Sequence, residues 1–363
     1  MSDSGDGNAP SSAPAPRANP DLFGHEAAER ELNRLLAAGR LPHALLICGP
    51  RGIGKATLAF RLARYVLARA GETGGEPDRF GAGQGGLAIP ADSGTFRRVA
   101  AGGHADLLTV ERAWDPRRRR LRGEIVVDDA RQIGQFLRLT PAEGGWRVVV
   151  VDGADEMNRN AANALLKVLE EPPNRALLLL VAHSPGRLLP TIRSRCRRLA
   201  LAPLKPVMIR RLLARYRADL AEPQAEELAA LAEGSIGRAL ELAAAGGVEL
   251  YRAVMALLSR EEGVDPLALH AFADKLARAE ADDAYRATAE LLAQILAGLA
   301  VARAGGGIAA VPRLDRLAGR APAARWARLR TEIEENFART EGLNLDRKQA
   351  VLGAFFAIAA AAE

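Results

Sequence analysis

The stretch LICGPRGIGKATLAF, residues 46–60, constrains this chain more than any other. A short apolar run ends at a glycine-rich turn, and a lysine then opens a segment with helical spacing of apolar residues. Gly49, Gly52 and Gly54 allow backbone N–H groups to converge on a polyphosphate. The start of the following helix adds its partial positive charge, and Lys55 is placed to neutralise the outer phosphates. The spacing is Gly-x-x-x-x-Gly-Lys-[Ser/Thr], opening at Gly49, except that Ala56 stands where a hydroxyl would ligate Mg²⁺. Thr57 lies one position further, about 100° round the helix, and is no direct replacement. Two readings stay open on these residues: a nucleotide loop, or a glycine-rich turn without a ligand.

The rest of the first 200 residues fits a parallel sheet. WRVVVVDGA (146–154) and ALLLLVAH (176–183) are apolar throughout rather than alternating, as strands covered on both faces are. DLLTVE and EIVV are shorter strand candidates. HEAAERELNRLLAAGRL, KATLAFRLARYVLARA, DDARQIGQFLRLT and NRNAANALLKVLEEPP read as intervening helices, the last stopped by two prolines. Residues 71–103 have many glycines and no period, and read as a long insertion or surface loop. Beyond residue 200 no strand pattern recurs. Helical faces appear at Tyr285, Leu292, Ile295, Leu296 and Leu299, and at Trp326, Leu329, Ile333 and Phe337. These contain more apolar surface than one thin domain needs, so part of the last helix is expected to pack on neighbouring subunits, the alternative being that the faces only close the domain's own core.

The fold expected is therefore α/β followed by all-α. Its parts are a disordered tail over 1–18, rich in Ser, Pro, Ala and Gly, and a parallel-sheet loop domain over 19–200 with helices on both faces. A small helical domain over 201–247 and a larger one over 248–363 follow. Two cysteines, Cys48 and Cys196, sit outside any metal-ligand spacing. With no apolar run of about 18 residues and no signal-peptide start, a cytoplasmic protein without a membrane partner is expected. A formal charge of +6 permits nucleic-acid contact without requiring it. The one dense basic run, RRRRLR at 117–122, reads as a solvated hairpin tip or loop, with phosphate contact as the alternative.

Two further motifs bear on chemistry. In VVVVDGADEMN, Asp152 ends a strand, where a nucleotide's Mg²⁺ is held through water. The next position, where hydrolysis needs a carboxylate to polarise water, is Gly153. Asp155 and Glu156 begin a turn and need not face a phosphate. In PTIRSRCRRL (190–199), Arg195 has no obvious acidic partner nearby in sequence and follows the last buried strand, at the edge of the α/β domain. Surface arginines and a subunit-facing group are both consistent with that stretch alone.

In this order, LFGHEAAERELNRLLAAGRLPHALLICGPRGIGKATLA, NAANALLKVLEEPP, LLPTIRSRCRRL, GSIGRALEL and LNLDRKQAVLGAFF resemble the clamp-loader branch of the AAA+ family, and within it the delta-prime group of bacterial DNA polymerase III. The resemblance implies a RecA-like domain, a helical lid and a C-terminal helical collar that assembles a ring. It implies motor (gamma/tau) and delta subunits, a sliding clamp and primed DNA as partners, within the DNA-directed DNA polymerase holoenzyme. Arg195 then resembles an arginine finger reaching a neighbour's ATP. The usual sensor-arginine position carries Gly237, with Arg238 one residue late. Ala56, Gly153 and this slip favour a non-hydrolysing ring subunit, with ATP or ADP in a weak or vestigial site. An active motor of gamma/tau type is the alternative, and a generic DNA-binding scaffold a third. Relatives carry a four-cysteine zinc module within 70–105; no cysteine lies there, so no zinc is expected.

Overall fold

The computed structural model describes residues 13–70, 86–115, 120–143, 145–259, 263–305 and 314–362. It divides into two compact units. The first is Met1–Leu220 with Ala232–Arg238; the second is Ala221–Leu231 with Ala239–Glu363. The stretch expected as a separate lid, 201–247, is thus shared between the two.

In the first unit the chain runs through α1 (Glu26–Ala37), β1 (Ala44–Cys48), α2 (Lys55–Ala70), α3 (Gly94–Ala100), β2 (Leu107–Val110) and a two-stranded ribbon, β3 (Trp114–Asp115) and β4 (Arg120–Leu121). It continues with α4 (Val127–Arg138), β5 (Arg147–Asp152), α5 (Arg159–Glu170), β6 (Ala176–Ala182), α6 (Pro190–Arg195), β7 (Arg197–Ala200) and α7 (Pro206–Tyr216). The main sheet has the order β2-β5-β6-β1-β7, every pair parallel. Side chains alternate between its faces. Leu45, Ile47, Val148, Val150, Leu177 and Leu179 pack with Leu58, Leu62 and Val66 of α2. Leu46, Val149, Val151, Leu178 and Leu180 pack with Ile133, Leu137, Leu165 and Leu169 of α4 and α5. This two-sided burial is why the strands are apolar throughout.

Several expectations are corrected. The tail expected over 1–18 is placed from residue 13, with a 3₁₀ turn at Pro16–Ala18. Arg64, only 1% exposed, donates to Arg17 O at 2.9 Å and Asn19 O at 2.7 Å, and lies over the Phe96 ring at 4.5 Å. Residues 71–85 lie outside the described residues, but the remainder of the expected loop carries α3, capped by Ser93 and buried through Phe96 and Val99. EIVV is not a strand: Ile125 forms a single bridge with Met157, and Val127 opens α4. RRLA, in contrast, is one: β7 is an edge strand with exposed arginines, so it shows no apolar pattern.

The second unit contains α8 (Glu222–Leu231), most of α9 (Ile236–Ala244), α10 (Gly247–Leu258), α11 (Pro266–Leu276), α12 (Asp282–Arg303), α13 (Leu314–Gly319), α14 (Ala323–Leu343) and α15 (Arg347–Ala362). The two amphipathic faces noted in the sequence are spent internally. Tyr285, Leu292, Ile295, Leu296 and Leu299 share one core with Trp326, Leu329, Ile333 and Phe337. Tyr285 stacks on Phe337 at 4.8 Å, and Phe355 of the last helix meets Phe272 edge-on at 6.0 Å. Both faces, with Val351, Leu352, Phe355 and Ile358 of the last helix, close this unit's own core, while Phe356 of the same helix is exposed. Among the described residues, no helix is long and apolar enough to cross a membrane.

Removing the Arg64 guanidinium leaves two backbone carbonyls without their donor, a loss of about 2 kcal/mol or more. Arg64→Ala is expected to lower the unfolding free energy by that amount and to open the Arg17–Asn19 segment to proteolysis. A variant as stable and as protease-resistant as the parent would show that the anchor contributes nothing.

Candidate nucleotide site and the helix-end arginine

Parallel strands have a direction, and the candidate residues sort by it. Gly49 follows the C-terminal end of β1, and Asp152 closes β5 at the same end of the sheet. Gly49, Gly52 and Gly54 all have positive φ, so the loop has the backbone that its glycines suggest. Lys55 is 3% exposed at the start of α2 and donates through Nζ to Pro50 O at 2.5 Å. Burial pulls its pKa down to about 8, against the opposing pull of Asp152 and Asp155. Burial, and next the charge of Glu111, push Asp152 up to about 6, with Lys55 working against them. The loop glycines, Lys55 and Asp152 thus form one electrostatic group. His25, absent from the sequence reading, pins the loop from behind: its Nε2 donates to Ile53 O at 2.6 Å.

The loop is also held from the front. Gly237 N donates to Gly52 O at 3.0 Å. A Cβ on Gly52 would meet Ser235 Oγ at 2.3 Å, and one on Gly237 would meet Gly52 Cα at 2.9 Å. A side chain at 237 would push against the backbone of Gly52. Arg238 instead pairs with Glu233 at 3.5 Å, while its N–H donates to Ser235 Oγ at 3.1 Å. The residues present fit a phosphate only in part.

Ala56 and Thr57 are both buried on α2. Gly153 has φ +82°, a backbone that strains any side chain placed there, and a Cβ would lie 2.5 Å from Glu156 Oε2 and displace that carboxylate. The nearby carboxylates are engaged in structure. Asp155 accepts from His183 N at 3.0 Å and Ser184 N at 2.7 Å, and Glu156 pairs with Arg112 at 2.9 Å. His183, pulled down to about 4 chiefly by burial and next by Lys55, is neutral at physiological pH. Among the described residues, no group of three or more His, Cys, Asp or Glu side chains is placed to hold a metal ion.

Arg195 lies elsewhere. It ends α6 immediately before β7, whose Arg197 is level with Leu45 at the beginning of β1. It therefore sits at the opposite end of the sheet from the loop, beyond a paired run of about 10 Å at about 3.3 Å per step. Its Nη1 donates to Thr191 O at 3.0 Å and its Nη2 pairs with Glu170 at 2.8 Å. Glu170 is the acidic partner that sequence proximity did not reveal; it ends α5, in the EEPP stop that precedes β6. Ser194 is exposed beside the arginine, whereas Cys196 is buried, its thiol pushed up to about 11 by burial.

A buried ammonium with a depressed pKa costs stability wherever the unfolded chain holds its proton more tightly. For Lys55 that cost is full below pH 8 and fades as pH rises from 8 toward 10.5. Lys55→Met is therefore expected to raise the stability of the ligand-free protein at pH 7 by about 1–2 kcal/mol, with the gap closing at alkaline pH in thermal melts. A destabilised variant would mean that the lysine is retained for the fold rather than for a ligand.

Residues 24–205, half of the chain and the span holding the loop, Asp152 and Arg195, match the family described as DNA polymerase III, delta subunit. DNA polymerase III subunit delta' of Pseudomonas aeruginosa is 37% identical over 232 residues, 62% of this chain and 64% of that protein. Subunit tau of Escherichia coli is 31% identical over 70% of this chain and 38% of its own length. Subunit delta' of Yersinia pestis is 32% identical over 46% of this chain and 44% of its own length. The matched region thus covers less than two thirds of each of these relatives. With its family match spanning half the chain and coinciding with the parallel-sheet unit, the protein belongs to the DNA polymerase III delta-subunit family.

Proposed function

We propose that this chain is a delta-prime-type subunit of a DNA polymerase III clamp loader. In this reading it hydrolyses no ATP itself and supports ATP-dependent loading of a sliding clamp onto primed DNA. It assembles with gamma/tau and delta subunits and offers Arg195 to the ATP of the adjacent subunit. The observation that carries this reading is the separation of Arg195 from the chain's own loop by the length of the sheet. A guanidinium in that position cannot serve its own phosphates, and a planar fork that offsets charge on a transferring phosphoryl is useful only to a neighbour. The chain's loop site is vestigial in the same reading. It holds ATP or ADP weakly through Lys55 and loop amides, and it supplies neither the hydroxyl for Mg²⁺ nor a carboxylate to polarise water.

The similarity to tau favours a second reading, an active motor. The engagement of Asp155 and Glu156 elsewhere, and the closed contact of Gly52 with Gly237, favour the first.

The isolated chain is expected to turn over ATP far below the ~1 s⁻¹ of an ordinary working enzyme. Reconstituted with motor subunits, delta and clamp, it should raise DNA-stimulated turnover, and Lys55→Ala should leave that turnover unchanged. Robust hydrolysis by the chain alone, abolished by Lys55→Ala, would establish the motor reading instead. Gly153→Glu, which restores the missing carboxylate in sequence, is expected to lose about 1–2 kcal/mol from the left-handed backbone and to gain no turnover. Measurable hydrolysis in that variant would show that the site needs only this one group.

A further inference from the structure

The arginine-rich run is not accounted for by the loop or by Arg195. Its flanks form the ribbon β3–β4, in which Trp114 stands opposite Leu121 and Asp115 opposite Arg120. Arg122 N extends the pairing to Ala113 O at 2.8 Å. Residues directly opposite on an antiparallel ribbon project to the same face, so Trp114 and Leu121 make one apolar pair. That pair is in water: Trp114 is 58% exposed and Leu121 47%. The contrast with the chain's other indoles is sharp, since Trp326 is fully buried and Trp146 half-buried. An exposed indole on a two-stranded ribbon gains nothing from a core of its own.

The chemistry around the pair selects its occupant. Residues 111–124 carry six arginines against three acids, and Arg122, which follows β4, is exposed. A flat aromatic surface in a cationic segment suits a ligand with both π-faces and regularly spaced negative charge. Single-stranded nucleic acid has both, whereas a duplex hides its base faces and an acidic peptide lacks them. We propose that the β3–β4 ribbon binds single-stranded DNA, with a base stacked on Trp114 and Leu121 and the phosphate chain crossing the ribbon's edge to Arg122, which follows on its other face. The choice of DNA rests on the clamp-loader reading; the stacking site rests only on the ribbon.

The test uses the full chain and an oligothymidylate, following both the anisotropy of the labelled oligonucleotide and tryptophan emission. Saturable binding with quenching of the exposed indole is expected at low salt. Trp114→Ala should weaken binding about 5-fold or more and abolish the quenching, while Trp114→Phe should keep part of the affinity. Arg122→Ser should reduce the slope of log affinity against log salt by about one. A duplex of equal length should compete poorly. Absence of binding would overturn the proposal. So would equal affinity for the parent and Trp114→Ala, or quenching produced by the sliding clamp and not by the oligonucleotide. None of these outcomes depends on ATP turnover in a reconstituted complex, so the ribbon and the clamp-loader reading can fail separately.

Discussion

The direction of a parallel sheet is the constraint on which the rest depends. Every strand of the main sheet runs the same way, so strand C-termini gather at one end and strand N-termini at the other. The loop after β1 and Asp152 at the end of β5 fall at the first end by necessity. The segment entering β7, with Arg195, falls at the second by the same necessity. No side-chain rearrangement brings the two together, because the paired length of the strands lies between them.

Around the loop, groups that a hydrolytic site would aim at water are committed to other partners. Asp155 accepts from two consecutive N–H groups after β6, and Glu156 is taken by Arg112. The close approach of Gly52 and Gly237 belongs with this pattern: it fastens the start of α9 to the loop through a backbone hydrogen bond. That stabilises the loop in the absence of ligand and leaves Arg238 directed to Glu233. Lys55 is the exception, a buried cation that the fold would be expected to replace with an apolar residue if packing alone decided.

What the sequence made legible follows from how local each signal is. The loop, β5, β6 and α5 were readable because apolar runs, glycines and a double proline are written contiguously. β7 was not, since an edge strand with arginines at 197 and 198 has no apolar pattern to read. The α3 helix hid behind a glycine-rich stretch, its burial resting on Phe96 and Val99 alone. Arg64, His25 and Glu170 act through partners 28 or more residues away or on another helix, and no spacing rule reaches that far. The faces of α12 and α14 are legible as apolar, but periodicity marks a buried face without saying what covers it; in the fold they cover each other.

The separation of Arg195 from its own loop is the centre of this account, and one substitution interrogates it. ATP hydrolysis should be compared between reconstituted complexes carrying the parent chain, Arg195→Ala and Arg195→Lys, each shown to be intact. A group acting in trans on a transition state lowers turnover more than nucleotide affinity. Arg195→Ala should therefore slow hydrolysis at the adjacent subunit by about 10³-fold or more at that site, and Arg195→Lys should recover little, since an ammonium lacks the planar fork. Parental turnover from an intact Arg195→Ala complex would contradict the account and leave Arg195 as a surface arginine paired with Glu170.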